Sequence, residues 1–172
     1  LKTEAGIELT KYCVGNADLV TVREEFTRKV FEDMGISDQN VSVLADTAFG
    51  LNPIEDIQMG RDLLKKEGIE LKTDKVIGIC FRYMYWGWNE STWDAYELVL
   101  AEFCYYMVDN FGVEILFIPN CTFDTDYTYE DDRQPHAEIV GKMKNSDNTY
   151  QIKGKYNLYE TLSFFKLIDV MI

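Results

Sequence analysis

Val76-Ile77-Gly78-Ile79-Cys80-Phe81-Arg82 is an unbroken apolar run that stops on an arginine. A half-buried strand would alternate apolar and polar side chains. An uninterrupted run bounded by turn signals reads instead as a strand covered on both faces, as in a parallel sheet. Leu19-Val20-Thr21-Val22 repeats the pattern in shorter form and stops on Arg23. In open α/β sheets the ligand lies in the crevice outside the carboxyl ends of the strands. An arginine there offers a planar fork of donors matched to carboxylate or phosphate.

Working outward from this run, strand and helix patterns alternate. Asp56 to Glu67 reads as a helix closed by Gly68, and Ser91 to Asn110 as a long helix followed by Gly112. Val113–Ile118 reads as a strand ended by Pro119-Asn120, and residues 122–132 as an acidic loop. Ala137 to Lys144 and Leu158 to Lys166 read as helices, with Tyr150–Ile152 and Val170–Ile172 as strands. Toward the amino end, Ala5 to Val14 and Glu24 to Met34 have helical spacing, and Val41–Ala45 is a strand ending at Asp46. Such alternation predicts an α/β fold, a Rossmann-like parallel sheet with flanking helices. Punctuation near Pro53, followed by a fresh series of strand–helix units, places a boundary between residues 1–53 and 54–172.

The chain has 172 residues, a formal net charge of −13 and 47% apolar residues, the composition of a globular core. An acidic balance argues against nucleic acid, whose phosphates need clustered Lys and Arg. It argues equally against an anionic membrane surface. A small anion would therefore need cations concentrated locally, which is the arrangement the strand-end arginines suggest. Cys13, Cys80, Cys104 and Cys121 form no C-x-x-C pair, and His136 is the single histidine, so no zinc site is expected. Reduced cysteines in apolar segments, with no leader and no apolar run long enough to span a bilayer, point to the cytoplasm. Leu1 in place of Met and the uncapped apolar stretch Ile168–Ile172 lead to the expectation that the chain is cut at both ends. Unpaired sheet edges in such a fragment would make it self-associate.

The stretch ADLVTVREEFTRKVFEDMGI (Ala17–Ile36), followed by VSVLADTAFGL (Val41–Leu51), resembles the polysaccharide pyruvyl transferase family. That family tends to read as a strand, V-R-D/E, a helix ending in L-x-x-x-G-I, and a strand running into D-x-A-F. Phe31 stands where the leucine would be. VIGICFR (Val76–Arg82) matches the opening strand of the family's second domain, with Cys80 for Ser. Ile118-Pro119, Asp131-Asp132 before a helix, and Leu158–Ile172 follow in the family's order. The resemblance implies two Rossmann-type domains in a GT-B-like architecture, residues 1–53 being the end of the first and 54–172 most of the second. It implies transfer of pyruvate from phosphoenolpyruvate to a sugar of a cell-surface polysaccharide precursor, giving a ketal, with no metal and no further cofactor. Peripheral association with membrane-bound glycan assembly would follow. The family's Arg-x-His motif, including the histidine expected to donate a proton, would fall beyond Ile172, so this stretch alone is expected to be inactive.

Arg82 is the leading candidate for binding the anion. Arg23 either contacts ligand or pairs with Glu24 and Glu25. Asp46 reads as a cap for the segment after it. Asn120 either donates to an acceptor hydroxyl or makes an Asx-turn. Tyr83, Tyr85, Trp86 and Trp88 crowd the segment after Arg82, where they would either stack on sugar rings or pack in the protein. His136 reads as a surface histidine without a chemical role, and Asp124-Thr125-Asp126 as part of a solvated acidic loop rather than a metal site. Two other functions fit the same architecture: a glycosyltransferase using a nucleotide sugar, and a non-catalytic sugar-binding relative.

Overall fold

The computed structural model describes residues 3–36, 41–51, 56–83, 89–123 and 131–172. The chain divides into two compact units, residues 1–52 and 53–172.

In the first unit, α1 (Glu4–Gly15) starts at Thr3, whose hydroxyl accepts the Gly6 N–H at 3.2 Å. β1 (Val20–Val22), α2 (Glu25–Asp33) and β2 (Val41–Val43) follow, then a 3-10 turn over Thr47–Gly50. β1 and β2 pair in parallel, with Val20 opposite Val41 and Val22 opposite Val43. Val14, Val22 and Val41 form the core, with Phe31, Ile36 and Val43 packed on it.

The second unit contains α3 (Ile57–Lys66), β3 (Val76–Ile79), α4 (Glu90–Phe111), β4 (Glu114–Phe117), α5 (Arg133–Lys142), β5 (Thr149–Gln151), α6 (Leu158–Phe165) and β6 (Val170–Met171). Its strands are all parallel in the order β5-β4-β3-β6. The chain thus builds outward from β3 to β5, then returns to add β6 on the other side of β3. That reversal is the topological switch point of a doubly wound sheet, and it lies at the carboxyl end of β3.

Both faces of this sheet are covered, as the unbroken apolar runs require. Ile77, Ile79, Phe81, Ile115 and Phe117 share one face with Ala101 and Cys104 of α4 and Ile139 of α5. Val76, Leu116 and Ile118 share the other with Leu63 and Leu64 of α3 and Phe164 of α6. Each large side chain buried this way contributes about 1.5–3 kcal/mol. No helix among the described residues is long and apolar enough to cross a membrane.

Several boundaries differ from the sequence reading by a residue or more, and two of them have a visible cause. β3 stops at Ile79 because the Phe81 N–H leaves the ladder to donate to His136. α5 begins four residues before Ala137, with Pro135 in its first turn. A proline costs little there, because the first N–H groups of a helix have no intrahelical acceptor anyway.

The layer of α3 and α6 closes through a missing side chain. A Cβ on Gly60 would stand 2.5 Å from the backbone oxygen of Ser163 and 3.0 Å from its carbonyl carbon. Backbone cannot swing away as a side-chain end can. Gly60→Ala, despite gaining about 1 kcal/mol of helix propensity, should therefore lower stability by about 1–3 kcal/mol through overpacking. Urea denaturation checks this, and an unchanged or higher midpoint would show that the two helices separate freely.

Candidate functional site

The carboxyl ends of β3 and β4 lie side by side, and the residues just beyond them gather the polar groups of this face. Arg82 follows β3 and keeps its side chain 43% exposed. Its Nη1 donates to Cys121 Sγ at 3.0 Å, and its Nε lies 3.9 Å from Asp132 Oδ1. Asn120 and Cys121 follow β4, and their backbone N–H groups donate to Asp132 Oδ2 at 2.9 and 2.7 Å. Asn120 also lines a small cleft with Thr122, Gly154, Tyr156 and Thr161. Arg82 and Asn120, named separately in the sequence as strand-end residues, are thus brought to neighbouring strand ends, and the buried carboxylate between them is what that reading missed.

Asp132 precedes α5 and is 1% exposed. Burial raises its pKa, while the two backbone N–H donors and the nearby guanidinium pull the other way. Oδ1 makes no hydrogen bond among the described residues.

His136 is a correction. It was expected at the surface and is instead fully buried, tilted against Phe117 with ring centroids 5.0 Å apart. Its Nε2 accepts the Phe81 N–H at 3.1 Å, which assigns the proton to Nδ1, itself buried without a hydrogen-bond partner among the described residues. Burial pulls the pKa down from 6.5 to about 4, so the imidazole is neutral at physiological pH. Asp132 and His136 are one helical turn apart. Through them, the start of α5 holds the chain after β4 and the residue before Arg82.

Tyr83 packs within the protein, edge-on to Phe81 and Trp93 at 5.9 and 5.0 Å. Its hydroxyl meets the carboxylates of Glu97 and Glu138. Burial, then those carboxylates, pushes the phenol far above its ordinary pKa. Glu97 is 1% exposed and receives Lys142 Nζ, which also donates to Asp94 at 2.8 Å. A glutamate inside the apolar stripe Trp93, Leu100, Cys104 and Met107 was the available signal for this buried network. Tyr85, Trp86, Trp88, Asp124 and Asp126 lie outside the described residues.

In the first unit, Arg23 Nη1 bonds Asp46 Oδ2 at 2.7 Å, while Glu24 is 3.9 Å from its Nε. The ion pair thus forms chiefly with the end of the neighbouring strand rather than with the adjacent glutamates. Asp46 also caps the 3-10 turn by accepting the Ala48 N–H at 2.9 Å. Those two hydrogen bonds, the backbone one first, lower its pKa. The pair lies in the open, where such contacts contribute little to stability.

Compared with known families, the chain is matched over residues 1–172 by the model described as Polysaccharide pyruvyl transferase. Among curated proteins none matches it.

His136 also sets a pH dependence. The unfolded chain takes up a proton near pH 6.5, whereas the folded one does so only near 4. The stabilisation is therefore complete above about pH 6.5 and is lost as the pH falls toward 4, a loss on the order of 3 kcal/mol. Asp132, raised by burial, titrates with the opposite sign, so the comparison must isolate the histidine. His136→Gln keeps an acceptor for Phe81 without a titrating proton. Its unfolding free energy should change less between pH 7 and 4.5 than that of the unsubstituted protein, and equal pH profiles would refute a buried neutral His136.

Proposed function

The chain belongs to the polysaccharide pyruvyl transferase family, and on that premise we propose that it transfers pyruvate from phosphoenolpyruvate to a sugar of a cell-surface polysaccharide precursor. In this reading residues 1–53 and 54–172 belong to the two Rossmann-like domains of a GT-B-like enzyme. One observation carries it: Arg82, half-exposed, stands at the switch point of the doubly wound sheet, where such folds receive their ligands.

The chemistry needs a proton on C3 of phosphoenolpyruvate as one sugar hydroxyl adds to C2. A second hydroxyl then replaces phosphate at C2 and closes the ketal. Charge on the carboxylate and the departing phosphate must be matched throughout, and a guanidinium does so with paired, charge-assisted bonds. Arg82 is assigned to that anion. Asn120, Arg23, Trp86 and Trp88 are assigned to substrate binding after it, whereas Tyr83 packs on Phe81 and Trp93. His136 is not assigned as the proton donor, because it is neutral and turned into the core.

Arg82→Lys tests the assignment. Lysine keeps the charge and loses the planar fork. Steady-state kinetics with phosphoenolpyruvate and a sugar acceptor should show a loss of roughly 2–3 kcal/mol, near a hundredfold, in kcat/KM. A rise in KM would mean that Arg82 holds the donor in the ground state, and a fall in kcat that it acts on the departing phosphate. The thermal melt should shift little. Unchanged kinetics with the fold intact would remove Arg82 from the site.

A further inference from the structure

Three buried or half-buried carboxylates in the second unit hold loops in the same way, each accepting two successive backbone N–H groups. Glu114 takes Lys72 and Thr73 at 2.8 and 2.9 Å. Glu67 takes Lys153 and Gly154 at 3.1 and 2.7 Å. Asp132 takes Asn120 and Cys121. In the first two, a tyrosine hydroxyl also donates to the carboxylate: Tyr150 to Glu114 Oε1 at 3.0 Å, and Tyr156 to Glu67 Oε1 at 2.6 Å. Among the described residues Asp132 has no such donor, its second oxygen is buried without a hydrogen bond, and the guanidinium of Arg82 stands 3.9 Å away.

We propose that Asp132 is the positioning residue for Arg82, its Oδ2 fixing the chain after β4 and its Oδ1 orienting the Nε edge of the guanidinium. A desolvated carboxylate with one oxygen unsatisfied is costly unless a cation compensates it, and Arg82 is the cation that the geometry supplies. With Nε turned toward Asp132 and Nη1 on Cys121, the Nη2 end of the fork is the part left for an anion. His136 completes the support by fixing Phe81, the residue before Arg82. The inference rests on Arg82 as the anion-binding residue and adds what holds it in place.

A double-substitution cycle, read by phosphoenolpyruvate titration calorimetry and kinetics, separates the two claims. Asp132→Asn should weaken phosphoenolpyruvate binding about tenfold alone and less than twofold in the Arg82→Lys background, because it acts through that guanidinium. Glu114→Gln is the control, a clamp of the same kind that should lower stability and leave phosphoenolpyruvate affinity unchanged. If Arg82→Lys weakens binding while Asp132→Asn has no effect, strengthens binding or adds in full, the positioning role is wrong and the Arg82 site stands. If Arg82→Lys itself has no effect, the functional reading fails. A second measurement then still decides orientation without depending on a variant that folds. The Arg82 Nη signals of the unsubstituted protein should be resolved, because an oriented guanidinium does not rotate freely about Nε–Cζ, and a single averaged signal would overturn the proposal.

Discussion

Pairing of Val76–Ile79 with Glu114–Phe117 governs the rest of the second unit, because both strands are buried along their whole length. A strand covered on both faces can expose polar groups only at its ends. α3 and α6 on one side, and α4 and α5 on the other, are the cost of that burial, and their apolar residues match the alternating faces of the strands. Once the faces are closed, chemistry is confined to the sheet ends. The order β5-β4-β3-β6 then chooses among them, since the chain reverses direction beside β3.

A chain with so many carboxylates must place them where they do not repel one another across the core. Here several have become acceptors for loop backbone. Glu67, Glu114 and Asp132 each accept two successive N–H groups of a loop. The acidity that argues against nucleic acid thus also stabilises the irregular segments around the sheet. Asp131 shows the same economy, since Arg133 bonded to it holds its pKa down to about 2.

Most elements were legible because their signals are local. Apolar runs gave the strands, and Asn89, Asp56 and Asn157 stand at helix starts, each accepting an N–H from the first turn. Gly112, at φ +62, ends α4 in the left-handed conformation that glycine adopts readily. The position of Arg82 was equally legible, since it needs only the end of a strand. Its setting was not. His136 bonds Phe81 across 55 residues, and Asp132 reaches back 11 and 12 to Cys121 and Asn120. A window on the sequence sees an acidic, proline-containing stretch there and reads solvent. Burial of a polar side chain depends on a partner that folding supplies, and neither periodicity nor propensity carries that information.

The attachment of two strand ends to the start of one helix also bears on motion. Loop amides ordinarily exchange their hydrogens with water through small local openings. The amides of Phe81, Asn120 and Cys121 lie in irregular chain, yet each donates to a side chain of buried Asp132 or His136. Freeing them requires α5 to lift from a sheet face that carries Ile139 in full burial. The floor beneath Arg82 is therefore expected to open with the core, so that its amides exchange as slowly as those of the strands on either side.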